Sequence, residues 1–123
     1  MKLRSLIFVF VMILSFNSYA NEVSKQAWLD GMSTALPAAF CNPSMYFRQC
    51  FTISQEECED MAASTTRICL KKYQDQMPNV LVQPQDGTRW GQTVGACAGE
   101  AFEVALIKKR INSDRCNNVD NWR

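Results

Sequence analysis

Six cysteines constrain the fold of this chain more than any other feature: Cys41, Cys50, Cys58, Cys69, Cys97 and Cys116. An even cysteine count in a short exported chain is typical of disulfides formed in an oxidising compartment. The chain contains no histidine and no Cys-x-x-Cys pair, which is the close ligand spacing that zinc sites usually show. We therefore predict three disulfides, no metal site and no cofactor.

The first twenty residues have the pattern of a secretory signal peptide. Lys2 and Arg4 give a positive start, Leu6 to Leu14 is an apolar run of nine residues, and Ser18-Tyr19-Ala20 follows the small, any, small pattern of a cleavage site. A membrane anchor is the alternative, but a spanning helix needs about 20 apolar residues. We predict a signal peptide at residues 1–20, cleaved after Ala20, and one disulfide-bonded helical domain at residues 21–123, located in the periplasm or secreted, with no membrane insertion after cleavage.

The charge balance of the mature chain bears on its partners. Of the 13 Lys and Arg residues, Lys2 and Arg4 lie in the signal peptide, so 11 remain against 12 Asp and Glu residues, and the formal charge is near −1. General affinity for nucleic acid or anionic lipid needs a strong basic excess. The composition therefore points away from a nucleic-acid-binding protein.

Apolar residues recur at the helical period in three long segments. The first is expected from Glu22 to Phe40, with Pro37 ending or kinking it. The second starts near Gln55, because Ser54 and Glu57 match a capping box, and ends at Met77-Pro78. The third is expected from Asp86 to Ser113, and Asn42-Pro43 predicts a short helix between the first two. The fold class predicted is all-α: a small disulfide-stapled bundle of three main helices plus one short helix.

Three glycines distinguish the third helix. Gly91, Gly95 and Gly99 recur every four residues, and each costs up to about 1 kcal/mol relative to Ala in a helix. Close contact with another helix around a Cys69–Cys97 bridge would compensate for this cost. A groove for a ligand or for a loop of another protein is the alternative. The inner face of this helix is expected to comprise Trp90, Val94, Cys97, Ala101, Val104 and Ala105.

The disulfide pairing follows from an antiparallel arrangement of the second and third helices. Residues equidistant from the middle of their connection, near residue 82, should face each other. This predicts Cys69–Cys97 first, then Cys58–Cys116, and leaves Cys41–Cys50. Cys58 and Cys69 cannot bond to each other because they lie roughly 16 Å apart along one helix.

No residue constellation in the sequence names a reaction. The chain lacks the commonest general base, and six paired cysteines would leave no thiol nucleophile. A histidine-free hydrolase would have to use a serine with a lysine, or two carboxylates, in a shared cleft. We therefore expect a protein that is not an enzyme and that binds another protein, through Tyr46, Phe47 and Phe51 or through the glycine face with Trp90. The alternatives are a structural envelope component or a secreted effector without catalytic activity, and the oligomeric state stays open. In size, compartment and composition the chain is similar to the helical immunity or inhibitor proteins that block envelope-acting toxins and hydrolases.

Overall fold

The computed structural model describes residues 21–122, and the predicted signal peptide lies outside them. The chain folds into three main helices and two helices of a single turn: α1 (Lys25–Phe40), α2 (Tyr46–Gln49), α3 (Gln55–Tyr73), α4 (Gln85–Ala105) and α5 (Asp114–Asn117). The predicted all-α class is confirmed. None of the helices in the described part of the chain is long and apolar enough to cross a membrane.

Local signals explain where the first two main helices begin. Ser54 Oγ accepts a hydrogen bond from the Glu57 amide at 3.1 Å, so α3 starts at Gln55 as the capping box predicts. The Ser24 hydroxyl caps α1 in the same way, by accepting from the Ala27 amide at 3.2 Å. Pro37 does not end α1, which continues to Phe40.

A two-stranded antiparallel sheet joins the ends of the main helices. β1 (Glu22–Ser24) pairs with β2 (Val80–Val82), and Val23 lies opposite Leu81. The prediction that the first helix begins at Glu22 is therefore wrong, because residues 22–24 are extended and pair with β2. Leu81 is fully buried under this sheet, whereas Val80 and Val82 are half exposed.

The third main helix differs from its predicted form. α4 ends at Ala105, and Ile107–Lys109 form a separate 3₁₀ turn. The buried residues of α4 recur every four positions, whereas the predicted inner face had steps of one, three and four: the buried residues are Trp90, Val94, Ala98 and Phe102. Of the predicted inner face, Trp90 and Val94 are buried and Cys97 packs against buried residues. The prediction is wrong at Val104 and Ala105, which are exposed, Val104 by 70%.

The buried side chains form two clusters along α3 and α4. The first contains Trp28, Cys69, Leu81 and Trp90, near the sheet. The second contains Phe51, Phe102 and the other two disulfides, at the opposite end. The Cys69–Cys97 disulfide joins α3 to α4 as predicted, with the two Cα atoms 5.9 Å apart.

The other two predicted disulfides are wrong. The bonds formed are Cys41–Cys58 and Cys50–Cys116. The symmetry argument fails because the chain leaves the axis of α4 after Ala105 and crosses over to the segment after α2. There the Ile111 amide donates to the Cys50 carbonyl at 2.8 Å, and this brings Cys116 beside Cys50.

Candidate functional site

An apolar cleft lies at the end of the molecule that holds the second core cluster. We call it the aromatic cleft, and its volume is about 220 Å³. The end of α1, the α2 segment and the C-terminal tail (residues 106–122) each contribute to its walls. Its lining side chains are Phe40, Met45, Tyr46, Phe47, Val119 and Trp122.

Short-range bonds position the α2 segment at the mouth of the cleft. Asn42 Oδ1 accepts from the Ser44 amide at 3.1 Å, and one helical turn follows from Tyr46. The Cys41–Cys58 bond before this turn and the Cys50–Cys116 bond after it fasten both ends of the segment to the rest of the fold. A segment held at both ends presents its side chains in a fixed position.

Ring contacts build the floor of the cleft. The Phe47 ring lies with its centroid 4.8 Å from that of Phe40 and 4.4 Å from that of Phe102. Phe51 packs edge to face on Phe102 at 5.6 Å and is only 2% exposed. Such tilted and edge-on pairs are the preferred aromatic geometries. The inner rings are therefore a rigid support for the half-buried rings of Tyr46 and Phe47.

A polar network fixes the Tyr46 hydroxyl. It donates to Glu103 Oε1 at 2.7 Å and accepts from Arg110 Nε at 3.1 Å. Burial raises the pKa of Tyr46, and the Glu103 hydrogen bond acts in the same direction while Arg110 opposes it. The pKa of Arg110 is in turn raised, chiefly by the hydrogen bond that it donates to Tyr46. The hydroxyl is therefore neutral at physiological pH.

Arg110 links the Tyr46 network to the later part of the tail. Arg110 also donates to the Cys116 carbonyl at 2.7 Å and to Asn117 Oδ1 at 3.1 Å. Further along the tail, Trp122 donates its indole N–H to the Arg115 carbonyl at 3.1 Å, and the Arg115 guanidinium lies 4.3 Å from the Trp122 ring centroid. Trp122 thereby becomes a wall of the cleft, with its ring 5.8 Å from that of Tyr46.

The structure brings together only some of the residues that the sequence proposed as a binding surface. Tyr46 and Phe47 line the cleft and Phe51 lies beneath them. Gly99 adjoins the same cluster, since a Cβ at this position would lie 3.5 Å from the Phe47 ring. Trp90 is buried in the other cluster, near the sheet, with 6% of its surface exposed.

The glycine face does not receive another backbone. A Cβ atom at Gly91 would meet nothing within 4 Å, and one at Gly95 would meet only the Leu36 side chain, at 4.0 Å. The expected close helix contact around the Cys69–Cys97 bond is therefore not formed along this face.

Sequence reasoning missed four of the six residues that line the cleft. Phe40 belongs to the helical period of α1, and Met45, Val119 and Trp122 have no periodic pattern that could mark them as a site. The available signal was the pair of cysteines Cys50 and Cys116, each of which lies within six residues of a lining residue. Only the correct pairing reveals that the tail and α2 meet.

The chemistry of the cleft is set by its apolar lining and by a small polar network beside it. Its lining is apolar, and the ionisable groups near it, Tyr46, Glu103 and Arg110, are bonded to one another. In residues 21–122 no three acidic or cysteine side chains come together as a set of metal ligands. An apolar side chain or an aromatic ring is the chemical group that this cleft accommodates.

Comparisons with known proteins give one finding. No curated protein and no solved structure matches the chain. The sequence profile of the family described as T2SS substrate NttA matches residues 22–110, which span both strands, the three main helices and the polar residues that fix Tyr46. The chain therefore belongs to the family of the T2SS substrate NttA and is a secreted protein, a substrate of type II secretion.

Proposed function

We propose that this secreted protein acts without catalysis, by binding another protein through the aromatic cleft. The observation that carries the proposal is a preformed apolar cleft whose rim is open to solvent: Met45 is 43% exposed and Val119 is 55% exposed. A protein with no discrete partner site would be expected to bury such a cluster completely. Here the inner rings are buried and the outer side chains are not.

The composition of the cleft supports a protein partner. Tryptophan, tyrosine and arginine are the residues that dominate binding energy at protein interfaces. Tyr46 and Trp122 line the cleft, while Arg110 and Arg115 hold them in place. Because hydrogen bonds and ring contacts already fix these side chains, little entropy is lost when a partner inserts an apolar side chain.

A non-catalytic role is supported by the lack of a free thiol and of histidine, the commonest general base. All six cysteines are in disulfides, and the chain contains no histidine. An inhibitor or immunity-type protein would use the cleft to cover a surface of its target. The competing proposal is a structural component or effector of the envelope or medium without a discrete partner site.

Export through a cleaved signal peptide is part of the proposal. We infer that the chain passes through the periplasm, where its disulfides form, after cleavage behind Ala20. N-terminal sequencing of the protein from culture fluid should give Asn21 as the first residue. A first residue far from Asn21 would contradict the predicted cleavage site.

The binding proposal is tested by capture with matched variants. The mature, oxidised protein is immobilised and exposed to envelope and culture-fluid fractions, and the captured partner is identified and purified. Met45→Glu combined with Val119→Glu places charge at the cleft rim without touching a buried residue. This variant should weaken binding by more than about tenfold.

The control is Val80→Glu combined with Val82→Glu. These two side chains are 47% and 48% exposed, like those at the rim, but lie on the sheet rather than at the cleft. Equal loss of binding in both variants would contradict the cleft as the site. Absence of any specific partner for the oxidised protein would favour the structural alternative.

A further inference from the structure

A second surface, formed by α3 and α4, shares no lining residue with the aromatic cleft. It is a shallow groove between α3 and α4, which we call the outer groove. Its lining residues are Lys72, Tyr73, Thr93, Ala96, Cys97, Glu100, Ala101 and Val104. α1 contributes no residue to this lining.

Two large apolar side chains stand exposed at this groove. Val104 lines it and is 70% exposed. Ile68, which is 63% exposed, precedes Lys72 by one helical turn and so lies on the same face of α3. These are the two most exposed of the large apolar side chains in residues 21–122. Because both lie beside one groove, a partner that covers the groove would remove their apolar surface from water, which favours binding.

The groove carries a positive charge on one wall and a negative charge on the other, so a second copy rotated by half a turn presents the opposite charge to each. Lys72 stands on the α3 wall and Glu100 on the α4 wall. Neither forms an ion pair with any of residues 21–122, and the Lys72 ammonium lies over the Tyr73 ring, with Nζ 5.3 Å from the centroid. In a twofold dimer each contact occurs twice with the roles exchanged. One arrangement can therefore set Lys72 of each copy against Glu100 of the other.

We propose that the outer groove is a self-association surface, in which two copies of this chain pack α3 and α4 face to face and form reciprocal Lys72–Glu100 pairs. The Ile68 and Val104 side chains of each copy then enter the groove of the other. A second copy supplies a Glu100 for Lys72 and a Lys72 for Glu100 in one arrangement. A different protein would need its own pair of opposite charges at the same spacing.

The area available determines the strength expected. α3 and α4 have 19 and 21 residues and so are about 30 Å long, and side by side they are about 20 Å wide. The projected footprint is about 600 Å² per copy, or about 1,200 Å² in total, which is near the lower end for a specific interface. The dimer should therefore be weak and concentration-dependent.

Sedimentation velocity of the oxidised, mature protein tests this proposal. The wild-type protein should shift from monomer to dimer as its concentration rises toward about 1 mM at low salt, and less so when salt screens the exposed ion pairs. Lys72→Glu and Glu100→Lys should each raise the dissociation constant by about tenfold. The double variant restores opposite charges across the interface and should return to within a few-fold of wild type.

Lys71→Glu is the matched control. Lys71 neighbours Lys72 in sequence but lines a different groove, between α1 and α3. It makes the same charge change and should leave self-association unaltered, and circular dichroism checks that all variants are folded. A wild-type protein that stays monomeric at the highest concentration would overturn the proposal. A double variant that remains as weak as the single ones would also overturn it.

Discussion

At the scale of single residues, equal spacing does not mean equal surroundings. Gly91, Gly95 and Gly99 repeat every four residues, but only Gly99 meets aromatic rings, and Gly91 meets open space. A repeat on one helix shows which residues share a face. The repeat does not show which residues pack against each glycine, because the packing depends on how far the neighbouring helices and loops extend along that face.

Replacing Gly91 by alanine should therefore stabilise the protein. The new methyl group would contact nothing within 4 Å, and alanine in a helix is favoured over glycine by about 0.5–1 kcal/mol. Gly87→Ala is the contrasting variant, because its Cβ would overlap the Gln83 side chain, whose Oε1 accepts from the Gly87 amide. Urea unfolding should show a higher midpoint for the first variant and little or no gain for the second. A loss of stability in Gly91→Ala would mean that this face is covered.

Titration of Tyr46 is a second prediction at this scale. Burial, aided by the Glu103 hydrogen bond, raises its pKa above the ordinary value of about 10. A group whose pKa is raised on folding contributes stability below its unfolded pKa, and this contribution is lost as the pH rises through the folded pKa. The phenolate absorbance of wild type minus that of Tyr46→Phe should appear above pH 10, and Glu103→Gln should move it to lower pH. A Tyr46 titration at or below the ordinary value would mean that Arg110, and not burial, dominates the pKa of this hydroxyl.

At the scale of elements, the sequence predicted the helices better than their junctions. Ser54 with Glu57 predicted the start of α3, since a capping box is a local signal that needs no tertiary contact. The β1–β2 pairing was missed, because three-residue strands 58 positions apart leave no periodicity to read. The cleft was predicted only at Tyr46 and Phe47, because its other walls come from the end of α1 and from the tail.

Loss of the Cys50–Cys116 bond should release the tail. In the chain-entropy account, a closed loop of 66 residues contributes about 4 kcal/mol and one of 17 residues about 3 kcal/mol. Cys50→Ser with Cys116→Ser should therefore destabilise the fold more than Cys41→Ser with Cys58→Ser. It should also shift tryptophan emission to the red, because Trp122 loses the tail geometry while Trp28 and Trp90 stay buried. An emission spectrum unchanged from that of wild type would show that the remaining hydrogen bonds, such as those of Arg110 and Ile111, hold the tail without the disulfide.

At the scale of the whole molecule, the three disulfides are distributed over the two core clusters. Cys69–Cys97 serves the cluster near the sheet, and the other two bonds serve the aromatic end. A domain of about 100 residues buries only a modest core, and its net stability is about 5–15 kcal/mol. The cleft therefore exists because crosslinks hold three separate segments together around a small set of rings.

Full reduction should unfold the protein at physiological temperature. On the chain-entropy account the three bonds together contribute about 11 kcal/mol, which is comparable with the whole net stability of such a domain. Circular dichroism at 37 °C should show native helix in the oxidised protein and a large loss of it after reduction under mild denaturing conditions, which open the buried bonds. Removal of the reductant in the presence of a thiol-disulfide redox buffer should restore the helix signal and shift tryptophan emission back to the blue, as Trp28 and Trp90 become buried again. If the reduced chain keeps native helix content and a cooperative thermal transition, helix packing alone specifies this fold, and the disulfides serve to fix the cleft rather than to hold the domain together.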